Sequence, residues 1–247
     1  MKNLLFLPLL FCFGMLSAQN IEGSWKLVSM NGEDVTNREV IRIYQDDYFA
    51  QGVKSLPDNS FMSAAGGEFT LPDDETLSEN RDFDTADPDA IGVNNDFTIS
   101  WEGEDRFEVS DGVHTKIWER ISDKNDDLTG NWVITGRERN GKMNTMTPGD
   151  RRTIKILRGG RFQWIAFNSA TKEFSGTGGG TYSAENGKYI ENIEFFSRDD
   201  SRVGASLEFE YAVKDGEWHH KGTSSKGDPI YEVWSPYSKA YQKKKEK

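Results

Sequence analysis

Leu128-Thr129-Gly130-Asn131-Trp132 decides the fold, because Ile21-Glu22-Gly23-Ser24-Trp25 makes the same statement 107 residues earlier. In each copy Gly-X-Trp opens an apolar, β-branched run, Trp25-Lys26-Leu27-Val28 and Trp132-Val133-Ile134-Thr135. Each run then meets an Asn-Gly turn, Asn31-Gly32 or Asn140-Gly141. A glycine just before a tryptophan at a strand start lets the backbone bend while the large ring swings inward to close one end of a β-structure.

Working outward, the two halves keep the same order. After a short insertion the offset becomes 113, which lays Ile41 and Ile43 on Ile154 and Ile156, Phe49 on Phe162, and Phe61 on Phe174. It also lays Gly66-Gly67 on Gly179-Gly180, Phe69 on Tyr182 and Phe83 on Phe196. Thr115 to Arg120 and Ile230 to Trp234 are the closing pieces. Two copies of one domain, residues 19–122 and 128–238, is the economical reading, with a polar linker at 123–127 too short to separate them far. In the second copy, runs rich in Ile, Phe, Tyr, Trp and Thr span 153–157, 161–168, 181–183, 188–197, 206–213 and 217–221. They are punctuated by Arg158-Gly159-Gly160, Asn186-Gly187 and Asp215-Gly216, which are hairpin signals. Leu207, Phe209, Tyr211 and Val213 share one face by strand alternation, with Glu208 and Glu210 on the other. No dozen residues outside the leader keep a helical apolar period. The expected class is all-β: two tandem antiparallel up-and-down β-barrels, since a meander of about eight strands removes its edges by closing.

Residues 1–18 read as a signal peptide: Lys2, an apolar run from Leu4 to Leu16, then Ser17-Ala18-Gln19, too short an apolar run to span a bilayer. Cys12 is the only cysteine and lies in that leader, so a secreted or periplasmic mature chain is expected to rely on its cores rather than on disulfides. The net charge of −11 argues against nucleic-acid or anionic-membrane partners, whose phosphates it would repel. The basic tail 239–247 reads as a frayed, solvated terminus.

A domain of a little over 100 residues with Gly-X-Trp on its first strand and a meander behind it resembles the lipocalin-like members of the calycin superfamily. Phe174-Ser175-Gly176-Thr177-Gly178-Gly179-Gly180-Thr181-Tyr182, followed by Tyr189 to Phe196, looks like the lipocalin-like domains of secreted Bacteroidetes proteins of unassigned activity. The resemblance implies a barrel of about eight to ten strands with an internal cavity. It also implies a barrel-closing motif of Gly23, Trp25, Gly130 and Trp132, with an arginine near the end of the last strand packed across the ring. Arg120 is placed to do this for Trp25, whereas Ser235-Pro236 stands at the corresponding place in the second copy.

Residues 71–96 carry nine acidic residues and two prolines where the second copy has an aromatic strand, and read as a long solvated acidic loop. Calcium is the functional alternative, but Asp-X-Asp-X-Asp-Gly spacing is missing. Little else suggests chemistry. His219 and His220 point to opposite strand faces and cannot share a small metal site; an exposed strand position is expected for them ahead of a cavity-facing haem ligand. The glycine run 176–180 lies between the expected strands and suits a bulge or close backbone approach better than a phosphate cradle. Glu191 and Glu194 fall on opposite faces, and Glu208 with Glu210 faces outward, so neither is a convincing acid pair. Catalytic residues, metal ligands and cofactors are not expected. The leading expectation is a non-enzymatic carrier holding a small apolar or amphipathic ligand in the second barrel, against Phe162, Trp164, Tyr182, Phe195, Phe209, Tyr211 and Trp218. Ordinary core packing would use the same rings. The alternatives are a filled-barrel module binding a protein or glycan through its loops, and an enzyme on a barrel scaffold.

Overall fold

The computed structural model describes residues 20–224 and 227–242. The leader expected at 1–18 and most of the basic tail lie outside the described residues. Barrel 1 is built from β1 (Gly23–Met30), β2 (Glu33–Asp34), β3 (Arg38–Gln45), β4 (Tyr48–Ser55), β5 (Phe61–Asp73), β6 (Thr76–Asp84), β7 (Asn94–Trp101), β8 (Arg106–Ser110) and β9 (Thr115–Ser122). Barrel 2 repeats the plan with β10 (Gly130–Arg139), β11 (Lys142–Thr145), β12 (Arg151–Arg158), β13 (Arg161–Asn168), β14 (Glu173–Glu185), β15 (Lys188–Phe196), β16 (Ser206–Lys214), β17 (Glu217–Thr223) and β18 (Pro229–Pro236). A short helix, α1 (Tyr237–Ala240), follows.

In each copy eight antiparallel strands pair in sequence order, and the first closes onto the last, β1 on β9 and β10 on β18. The ninth strand, β2 or β11, is only a flap on the end of the first. Two closed eight-stranded barrels in tandem therefore fit a lipocalin-like fold. The Asn-Gly and Asp-Gly hairpins form because Asn31, Asn140, Asn186 and Asp215 accept positive φ and the following glycine accepts it freely. At each barrel start the indole N–H of the Gly-X-Trp ring donates to the carbonyl four residues before it: Trp25 to Ile21 at 2.8 Å and Trp132 to Leu128 at 2.9 Å. Among the described residues no helix is long and apolar enough to cross a membrane.

Strand registers correct three expectations. Residues 71–96 are not a solvated loop: they hold the end of β5, all of β6 and the start of β7. Three of their acids are buried because arginines meet them: Glu79 with Arg42, Asp82 with Arg152, and Asp84 with Arg81. Charge alone misled there, since a paired carboxylate can enter a core that an unpaired one cannot. The glycine run lies inside β14, where a β-carbon at Gly180 would come 2.0 Å from the Asn192 carbonyl oxygen. Phe83 matches Phe195 rather than Phe196: Phe83 faces Gly66 and Phe195 faces Gly179, so one residue has been lost between the copies.

The barrels share a third core. Ile43, Tyr48, Ala50, Ala64 and Phe83 of barrel 1 pack against Val133, Ile154, Ile156, Ile165 and Phe167 of barrel 2. Both faces of β12 are thus buried from Ile154 onward, so its charged residues Lys155 and Arg158 are buried with its apolar ones. The tail's first residues also pack here, against expectation: Tyr241 is buried and the Arg152 guanidinium lies 4.1 Å from its ring centre.

Candidate functional site

Inside barrel 2 is a cavity of about 700 Å³, within the roughly 300–1,000 Å³ usual for small-molecule sites. It opens at the end where β10 finishes and β12 starts, among Met146, Thr147 and Pro148, Arg151, Ser175, Arg198, Arg202 and Ser224. Ile134, Trp164, Ile193, Phe196, Leu207, Phe209, Ile230 and Trp234 supply its apolar walls.

One wall is polar. On β12 alternation turns Lys155 inward between Ile154 and Ile156, and its Nζ lies 2.6 Å from Glu191 Oε1 on β15. The ammonium also lies 5.2–5.4 Å from the ring centres of Trp218, Trp234 and Tyr189, close enough for cation–π attraction. Nearer the mouth, His220 of β17 pairs in register with Glu232 of β18. Nδ1 of His220 is 3.5 Å from Glu232 Oε2, too long for a good hydrogen bond, and neither ring nitrogen has a hydrogen-bond partner. Glu232 is held instead by Arg137 at 2.6 Å and by the Trp234 indole N–H at 3.2 Å. Burial lowers the His220 pKa below its usual 6.5, keeping the imidazole neutral near pH 7. Burial raises that of Glu232, but His220 and the positive charges of Arg137 and Lys155 outweigh it and lower it to about 2.

Barrel 1 carries different side chains at the matching interior positions. The registers make Arg42, Gln51, Glu79, Arg81, Val109 and Lys116 the counterparts of Lys155, Trp164, Glu191, Ile193, His220 and Glu232. The buried ion pair is thus common to both interiors. In barrel 1 the longer Arg42 fills the space, donating to Tyr44 at 2.8 Å and to Gln51 at 2.8 Å, while Arg81 reaches to 3.7 Å from Glu79. Barrel 2 has lysine and isoleucine at those two positions, so neither carries a guanidinium across the interior.

Of the rings singled out in the sequence, Trp164 and Phe209 line this cavity. Phe162, Tyr182, Tyr211 and Trp218 pack in the apolar cluster of barrel 2 without lining it. Phe195 faces barrel 1, 6.1 Å from Phe61 between ring centres. At the barrel starts, the Arg120 guanidinium lies 4.1 Å over Trp25 and donates to the carbonyls of Glu22 and Asn20, each at 2.8 Å. Trp132 instead meets Trp218 edge-on at 5.9 Å. Gly23 and Gly130 take positive φ beneath these rings. His219 faces outward and shares a hydrogen bond with Tyr231 at 2.9 Å, but His220 is only 2% exposed, contrary to the expected exposed position. Lys155, Glu232 and Arg137 were not foreseen. The available signal was a single lysine inside Ile154-Lys155-Ile156-Leu157, a position where alternation sends a charge into a core. No protein-family model matches the chain, and no characterised protein matches it.

Proposed function

We propose that this is an exported, non-enzymatic, lipocalin-like binding protein that holds one small amphipathic molecule in the barrel 2 cavity, with barrel 1 as its filled support. The observation that carries this reading is the mixed lining. Trp164, Phe196, Leu207 and Phe209 offer apolar surface, and beside them the buried His220, its ring centre 4.2 Å from that of Phe209, leaves its ring nitrogens without hydrogen-bond partners. An unpartnered buried polar group costs roughly 1–3 kcal/mol, which a bound hydroxyl or amide would recover. Catalysis finds less support, because the other titratable groups are committed to one another: Lys155 to Glu191, and Arg137 to Glu232.

Native mass spectrometry of the chain purified from its own cells, before and after denaturation, tests the proposal directly. A stoichiometric small molecule released on unfolding is the expected result. In parallel, the neutral apolar dye N-phenyl-1-naphthylamine should bind the emptied protein at one saturable site, and Ala166→Trp, which fills the cavity beside Trp164, should abolish that binding. No bound molecule together with no saturable dye site would refute it.

A further inference from the structure

We propose that the barrel 2 cavity selects anionic amphiphiles, with the acidic headgroup held at the mouth by Arg151 and Arg198 and the apolar body inserted. The inference rests on the binding role above and adds the sign of the ligand's charge and its orientation. The chain carries a net charge of −11, yet among the described residues this cavity is lined by Arg137, Arg151, Lys155, Arg198 and Arg202 against Glu191 and Glu232. Such a local inversion, set between low-dielectric walls, concentrates field and draws in the opposite charge.

The charges divide by depth. Lys155, deep in the cavity, is paired with Glu191, and Arg137 with Glu232, each at 2.6 Å. An ionised headgroup placed there would have to break a buried pair, and the neutral His220 cannot balance it. At the rim the balance is different. Arg198 spends its donors on the neutral Ser175 carbonyl, with Nε at 2.6 Å, so its charge is uncompensated by that bond. Arg202 lies 5.0 Å over the Phe196 ring and 3.3 Å from Asp199. Arg151 is exposed at the start of β12. Asp199 is already occupied by the Ser201 amide and hydroxyl. Planar guanidinium groups match carboxylate and sulfonate oxygens in pairs, so this rim suits an acid headgroup better than a neutral one.

Two dyes that share an anilinonaphthalene frame separate the claims: neutral N-phenyl-1-naphthylamine and anionic 8-anilinonaphthalene-1-sulfonate, titrated by fluorescence into the full chain. The anion should bind about 10-fold tighter at low salt, and the advantage should shrink in about 0.5 M salt. The double variant Arg151→Gln, Arg198→Gln should lower anion affinity about 10-fold while leaving the neutral dye unchanged, which also shows that the variant is folded. Equal affinities, or a preference that the double variant does not alter, would overturn the charge selection and leave the binding role standing. Failure of both dyes to saturate one site would overturn the binding role and this inference with it.

Discussion

Asp82→Asn removes one charge from the most deeply buried contact between the barrels. Asp82 and Arg152 lie 2.6 Å apart with side chains 3% and 0% exposed. The Arg152 guanidinium is 4.5 Å from the Phe167 ring centre and 4.1 Å from that of Tyr241, so water cannot replace the lost partner. Tyr48 donates to the same carboxylate oxygen at 3.1 Å and stays in place, so the variant keeps the shape and loses only the charge. Breaking a buried pair on one side costs about 3–5 kcal/mol. With a guanidinium m-value of roughly 5 kcal/mol/M, the unfolding midpoint should fall by about 0.6–1 M. The assay is equilibrium denaturation followed by tryptophan fluorescence. Because the pair bridges the barrels, both should lose stability in one transition. The double variant Asp82→Leu, Arg152→Met should recover most of the loss, since an apolar replacement strands no charge. A cost below about 1 kcal/mol, or a double variant no better than the single one, would refute the claim that this pair locks the junction.

Acid should destabilise the protein through the cavity wall. The unfolded chain takes up a proton at His220 near pH 6.5, before the folded protein does, and at Glu232 near 4.5 against about 2 when folded. Stability is therefore complete above about 6.5, falls as the pH drops through that value and falls again below 4.5. Denaturation midpoints measured from pH 7.5 to 3 should show His220→Phe flattening the upper limb relative to the unmodified chain; an unchanged upper limb would contradict the buried neutral imidazole. Gly52→Leu should cost about 1–3 kcal/mol or more by the same assay, because a β-carbon at Gly52 would come 2.5 Å from Phe195 Cζ across the junction. Phe195→Ala in that background should restore part of the loss, and no restoration would place the clash elsewhere.

Repeat, strand order and hairpins were legible because they rest on local chemistry: Gly-X-Trp, Asn-Gly, and the two-residue alternation of Leu207, Phe209 and Tyr211. The cavity was less so. Aromatic density marked barrel 2, yet Phe162 and Trp218 fill its closed end and Phe195 covers barrel 1, since a ring's type does not say which of two buried faces it occupies. The interiors differ by lysine for arginine at 155 and isoleucine for arginine at 193, and the second comparison is visible only after the one-residue slip between β6 and β15 is known. The acids of β6 misled for a related reason. Asp82 finds its arginine 70 residues away in the other barrel, a contact no local window contains.

The junction is nearly two-fold in its contacts, and its departures from symmetry carry the specificity. Phe61 and its counterpart Phe174 stack on each other at 6.2 Å, and Gln45 accepts from its own counterpart Arg158 at 3.1 Å. The Ser24 hydroxyl donates to the Gly159 carbonyl at 3.2 Å, while its equivalent Asn131 donates its backbone N–H to the carboxylate of Asp46, the equivalent of Gly159. That reciprocity is the pattern of an isologous dimer joined into one chain. The Asp82–Arg152 pair has a mirror position, and there the registers put two carboxylates, Glu194 and Glu39, with Lys54 between them at 3.8 and 3.2 Å. Two copies of barrel 1 facing each other would thus oppose Asp82 to Glu39, whereas barrel 1 against barrel 2 gains the arginine. Lys54→Met should measure this asymmetry. Lys54 and both of its carboxylates are partly exposed, and Glu194 keeps Arg161 at 2.5 Å, so the loss should be about 1 kcal/mol against about 3–5 for Asp82→Asn. Equal losses in the two variants would mean that the two ends of the junction are energetically alike, and that charge does not decide which barrel faces which.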